Sequence, residues 1–210
     1  MGGLAFAGVT GAGKSSILAA VAARLAVDRD QSVCVLRNDL IQNPDLRGPS
    51  CPASESGGLA SLDRTLAHLE SLVAWGQAAG GAGVMILCES WAVNLLAELD
   101  VWSPKAFLAL DARRAACGII LVHLVFDDGS VEERSVSSTR RSRGLGWGRY
   151  LDGLGATPAD QAAVFRARRD RIARYVDLAA EPKLEVATDR MDWAAHAAGL
   201  LAILFTEGRR

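Results

Sequence analysis

Gly8, Val9, Thr10, Gly11, Ala12, Gly13, Lys14 and Ser15 fill the pattern G-x-x-x-x-G-K-[ST] at every specified position. Glycines so spaced let consecutive backbone N–H groups curl round phosphate oxygens, and a helix opening at Lys14 aims its positive end at the same charge. Lys14 is then placed to reach terminal phosphates, and the Ser15 hydroxyl is a hard oxygen ligand for Mg²⁺. The expected nucleotide-binding set is Thr10, Gly11, Ala12, Gly13, Lys14, Ser15 and Ser16. Further along, Glu89 closes the apolar run 84–88. An acid at the end of a buried strand beside such a loop holds Mg²⁺ directly or through water, so Glu89 joins Ser15 as an expected metal ligand.

These side chains need a strand, a loop and a helix in succession, and the hydrophobic pattern supplies them. Residues 4–7 form a short apolar run, and 14–27 carry alanine and leucine at helical spacing. Further strands are expected over 32–36, 84–88, 119–126 and 183–187, and helices over 59–79, 91–99, 104–117 and 193–205. Another helix opens at Thr157 as N-cap, with Pro158 and Asp160 in its first turn and Phe165, Ile172 and Val176 on its inner face. Residues 43–58, rich in proline, serine and glycine, read as a loop.

Apolar strands alternating with helices predict the α/β class: a mainly parallel five-stranded sheet between two helical layers, as one domain over 1–210. The segment 132–148 sets Arg134, Arg140, Arg141 and Arg143 among Gly144, Gly146 and Gly148, with little apolar area to hold it down. It is expected to be a mobile lid, spanning about 132–157. Arg166, Arg168, Arg169, Arg171 and Arg174 read as the solvated face of the following helix.

Half of the 210 residues are hydrophobic and 22% are charged, the composition of a globular chain with a sizeable core. The formal net charge of −1 provides no overall field toward nucleic acid or an anionic membrane, and neither is expected as a partner. No apolar stretch reaches the length of a membrane span, and the apolar start is too short for a signal peptide. Cys34, Cys51, Cys88 and Cys117 have no paired spacing, which points to a reducing cytoplasm and to no zinc site. The N-K-x-D of a switch GTPase is absent, as are an Asp-Glu pair after the third strand and the L-S-G-G-Q of transport ATPases.

The loop, with this order of elements, resembles the P-loop nucleoside and nucleotide kinase superfamily, which includes deoxynucleoside kinases, thymidylate kinase and the chloramphenicol phosphotransferases. Element order carries the resemblance over nearly the whole chain, and the loop is its specific part. It implies a P-loop NTPase fold, ATP and Mg²⁺ as cofactors, and transfer of a γ-phosphoryl group to a small molecule. It implies that Asp39, after the second strand, is the catalytic base; the residue alone also fits a cap for a helix opening at Leu40. Glu89, Ser90 and Trp91 stand where deoxynucleoside kinases carry Glu-Arg-Ser, keeping the acid and losing the arginine. Arg140, Arg141 and Arg143 are similar in placement to the family's lid arginines and would join Lys14 in the catalytic set, while Ala187, Thr188 and Asp189 match its adenine loop. The expected protein is an ATP-dependent kinase acting on a hydroxyl of a nucleoside-like, sugar-like or natural-product acceptor, with a homodimer as its expected assembly. A nucleoside monophosphate kinase and a regulatory NTP-binding switch are the alternatives.

Overall fold

The computed structural model describes residues 2–28, 32–36, 84–100 and 102–207, with helical positions 63, 67, 70, 71 and 74. Asp39 and the loop 43–58 lie outside the described residues. β1 (Gly3–Ala7) is buried at every position and runs through the glycine loop into α1 (Lys14–Asp28). β2 (Val33–Leu36), β3 (Met85–Cys88), α2 (Ala92–Glu98), α3 (Pro104–Ala116) and β4 (Ile119–Val125) follow. A short 3₁₀ turn (Asp128–Ser130) and a π-helical stretch (Glu132–Ser137) lead into α4 (Ser138–Ser142) and α5 (Leu145–Asp152). α6 (Pro158–Leu178), β5 (Lys183–Ala187) and α7 (Trp193–Glu207) complete the order.

The sheet runs β2-β3-β1-β4-β5, and every pairing in it is parallel, where a mainly parallel sheet was expected. β1 and β3 are buried throughout and β4 nearly so, as parallel strands covered on both faces must be. β2 and β5, at the edges, are only partly buried. α1 packs with α7 as one layer, and α2, α3 and α6 pack together as the other, giving a three-layer α/β/α protein. Leu4, Phe6, Ile17, Leu87, Leu121 and Phe107 lie in its core. No described helix is long and apolar enough to cross a membrane.

Two local devices fix the frame. Thr157 and Asp160 exchange side-chain and backbone hydrogen bonds in a capping box, with Pro158 opening the helix behind them. Asp111 and Arg114, both fully buried, pair at 2.6 Å, and Asp111 also accepts from Trp91 Nε1 and the Ala180 N–H. That network ties α3 to the segments entering α2 and β5 and sets the buried Arg114 charge against that of Asp111.

The segment expected as a mobile lid takes up helical structure, which the sequence reading did not assign to it. Residues 132–152 are almost wholly helical, and Val131, Ser135, Val136, Thr139 and Leu151 are buried. Small and branched residues recur there at helical spacing between the arginines, and that face packs against α6.

Candidate phosphate and acceptor site

The loop between β1 and α1 depends on three glycines, of which Gly11 and Gly13 have φ of +87° and +91°. A Cβ on Gly11 would lie 2.6 Å from the Arg134 carbonyl oxygen, and one on Gly13 would lie 2.2 Å from an indole carbon of Trp193. The loop is therefore clasped between the arginine-rich segment and the start of α7. Ser135 Oγ donates to the Thr10 carbonyl at 2.6 Å, and Arg134 Nε donates to the Gly11 carbonyl at 3.2 Å. Arg134 also donates to the Thr188 carbonyl and hydroxyl, and its guanidinium lies 4.2 Å from the Phe126 ring centre.

Lys14 folds back over its own loop, donating to the Gly8 carbonyl at 2.6 Å and to that of Val9 at 3.2 Å. Burial lowers its amine from the ordinary lysine value to about 8; Glu89 and Glu98 oppose that shift and Arg143 adds to it. Asn94 Nδ2 donates to the same Gly8 oxygen at 2.6 Å. Because β1 and β3 are neighbours, their C-terminal ends bring Ser15 and Glu89 together, and the Ser15 hydroxyl donates to Glu89 Oε1.

The loop opens on a cavity of about 340 Å³. Thr10, Gly11, Gly13, Lys14, Ser15 and Ser16 line it, while Ala12 is buried outside the lining. Arg143 lines it as well, stacked 4.4 Å from the Trp147 ring centre, with burial lowering its pKa against the pull of Glu89. Arg140 and Arg141 do not line it: they face outward on α4, paired with Asp152 at 2.7 Å and with Glu133. Thr188 and Asp189 are also outside the lining, where Met191 and Trp193 stand instead. Asp189 accepts from the Asp127 N–H, and Thr188 donates to the Val125 carbonyl.

Sequence reasoning did not assign Arg134, Tyr150 and Arg168 to the lining, while Asn94 and Glu98 fall within the segment 91–104 that it expected to shape the acceptor pocket. Asn94 and Glu98 stand four residues apart, a spacing that puts them on one face of α2 and was available in the sequence, and Ser90 lies just before that helix. Arg168 carried no such signal among five arginines of one helix.

A hydroxyl and a carboxylate in contact at a strand end are hard oxygen donors that suit Mg²⁺, which keeps several waters and takes few protein ligands. No cluster of three or more His, Cys, Asp or Glu able to hold a metal occurs among the described residues, and Mg²⁺ beside phosphates does not need one.

Fold and loop together define a three-layer α/β protein with a glycine-rich loop at the C-terminal end of its central strand. No known protein-family pattern matches the chain, and no curated protein matches it. Among solved structures it is similar to that of APE1195, with a TM-score of 0.52 and 14% identity over 98% of this chain and 95% of that one. That likeness is one of fold.

Proposed function

We propose that this protein is an ATP-dependent phosphotransferase that moves the γ-phosphoryl group to a hydroxyl of a small molecule. The observation that carries the reading is the meeting of Ser15 with Glu89 beside the enclosed amine of Lys14, at the mouth of one cavity. Phosphoryl transfer asks a protein for positioning, charge neutralisation and exclusion of water more than for covalent chemistry. Backbone N–H groups of the loop would hold the phosphate chain, with Lys14 turning from the Gly8 carbonyl onto its oxygens. Ser15 and Glu89 would hold Mg²⁺, which supplies charge neutralisation on the β and γ oxygens. Arg143 enters the same cavity from the segment above and would stabilise charge on the group in flight. The cavity is wider than a phosphate channel, since residues of α2, α5 and α6 line it too, and that breadth favours a transferase with a second substrate over a simple hydrolase. Cys34, Cys88 and Cys117 are free, which suits a reducing cytoplasm.

The test is release of ADP from ATP and Mg²⁺, screened against nucleosides, sugars and natural-product alcohols, with Lys14→Ala alongside. ADP should form only with a particular acceptor and should be lost in the variant. Equal ADP release with no acceptor, or full turnover by Lys14→Ala, would sink the reading.

A further inference from the structure

The wall of the cavity contributed by α2, α5 and α6 carries a second cluster of charge. Glu98 ends α2, Arg168 lies midway along α6, and they pair at 3.1 Å with side chains 15% and 11% exposed. Tyr150 of α5 joins them: its hydroxyl donates to Glu98 Oε1 at 2.7 Å and accepts from Arg168 Nη1. Burial and the Glu98 charge raise the Tyr150 pKa, so the phenol stays protonated and keeps donating. The Arg168 guanidinium sits 5.7 Å from the Tyr150 ring centre and 5.5 Å from that of Phe165. Trp147 meets Tyr150 edge to face at 5.3 Å, and Ala97 and Ile172 complete an apolar surround.

We infer that this wall is the acceptor-binding subsite, and that the acceptor is an uncharged, ring-bearing alcohol rather than a phosphate or carboxylate. The inference rests on the phosphotransferase reading. An anionic acceptor needs cations whose charge is unspent, and Arg168, the cation that the described residues of α2, α5 and α6 bring to this wall, is already matched by Glu98. A phosphate placed against Arg168 would also face the Glu98 carboxylate, and like charges side by side exclude a ligand. Lys14, Arg134 and Arg143 gather at the loop, where the triphosphate itself would use them. A carboxylate paired with Arg168 accepts hydrogen bonds and offers none, so a ligand that meets Glu98 has to bring a donor such as a hydroxyl. Trp147 and Tyr150, both half-buried, offer ring surface to a flat or cyclic body. Tyr150 and Arg168 hold Glu98 in one orientation, so the hydroxyl is positioned before chemistry begins.

The experiment uses the full chain with Mg²⁺ and a non-hydrolysable ATP analogue. Second-site binding is read by saturation-transfer NMR for matched pairs: thymidine against its 5′-monophosphate, glucose against glucose 6-phosphate, and ring-bearing natural-product alcohols against their phosphate esters. Where a pair binds, the neutral member should bind tighter by about tenfold or more, and Glu98→Gln should shrink or invert that preference by leaving Arg168 without its counter-charge. Tyr150→Phe, which removes one oxygen and keeps the ring, should weaken the alcohol several-fold while leaving analogue affinity unchanged. Tighter binding of the phosphate esters to the wild type overturns the inference. So does an unchanged preference in a folded Glu98→Gln, or the absence of binding by every pair. If Glu98→Gln does not fold, the Tyr150→Phe result decides. Failure of the ATP analogue to bind would instead strike the phosphotransferase reading. The pairs would then be titrated against nucleotide-free protein, where the same preference is expected.

Discussion

Lys14 and Asn94 donate to the same oxygen, the Gly8 carbonyl, each at 2.6 Å. One donor can leave without stranding the acceptor. Were Lys14 to turn to a phosphate as proposed, Asn94 would still satisfy Gly8 and hold the loop to α2. Asn94→Ala should therefore weaken ATP-analogue affinity by about tenfold, consistent with the roughly 1–3 kcal/mol cost of a buried group left without its partner. The measurement is a pair of titrations with thermal unfolding alongside. Unchanged affinity and unchanged unfolding temperature would show that the shared acceptor is incidental.

The lowered Lys14 pKa, about 8, predicts a pH dependence. Phosphate favours the charged amine, so binding is full below about 8 and falls, by up to about tenfold per pH unit, as pH rises above it. Stability of the free protein moves the other way. An unfolded lysine titrates near 10.4, so between about 8 and that value the unfolded chain holds more protons, and raising the pH through this window stabilises the fold. Affinity measured from pH 6.5 to 9.5 should bend in the wild type and stay flat in Lys14→Ala. A wild-type profile without a bend would mean that the amine is not enclosed as described.

Ser15→Ala and Glu89→Gln should each raise the Mg²⁺ concentration needed for half-maximal turnover, and excess metal should restore part of the rate. Because the two residues share one contact, the double variant should lose less than the sum of the single losses. Strictly additive losses with unmoved Mg²⁺ midpoints would separate these residues from the metal.

The arginines of the helical segment should divide by direction. Arg143→Ala should reduce turnover by roughly 10²- to 10³-fold, the scale of losing one preorganised group at a developing charge. Arg140→Ala and Arg141→Ala should change it no more than a few-fold, because both face outward in exposed ion pairs. Equal losses at all three positions in kcat would require the segment to rearrange when substrates bind.

Glycine substitutions separate the clasped loop from the segment above it. Gly11→Ala places a methyl 2.6 Å from the Arg134 carbonyl at a φ of +87°, and should destabilise the protein by about 1–3 kcal/mol. A Cβ at Gly144 or Gly148 meets nothing within 4 Å, so alanine there should be neutral or slightly stabilising. Limited proteolysis across residues 134–150 should quicken only in the Gly11 variant. Matching cleavage in all three would mean that the segment is not anchored by this contact.

Much of the frame was legible because its signals are local. The G-x-x-x-x-G-K-[ST] run marked the turn from β1 to α1, unbroken apolar runs marked the covered strands, and Thr157, Pro158 and Asp160 marked the start of α6. Glu89 was legible as a strand-end acid, but its contact with Ser15 needed the neighbouring of β1 and β3, which no local pattern encodes. Arg168 reads in the sequence as one more exposed arginine, and it turns inward because Glu98 and Tyr150, far away in the chain, offer it a carboxylate and a ring. The order within 132–152 was missed for a related reason. Val131, Val136 and Leu151 are too few to register as a core stripe until the surface of α6 is there to receive them.

Trp193 lies so close against Gly13 that no side chain fits between them. An indole in that position is a built-in optical reporter, since its emission depends on the polarity and charge within a few ångströms of the ring. Filling the loop would bring several negative charges to the far side of a single glycine residue. Excited at the red edge of tryptophan absorption, the protein would then signal occupancy of its own loop, with no label attached and no acceptor required.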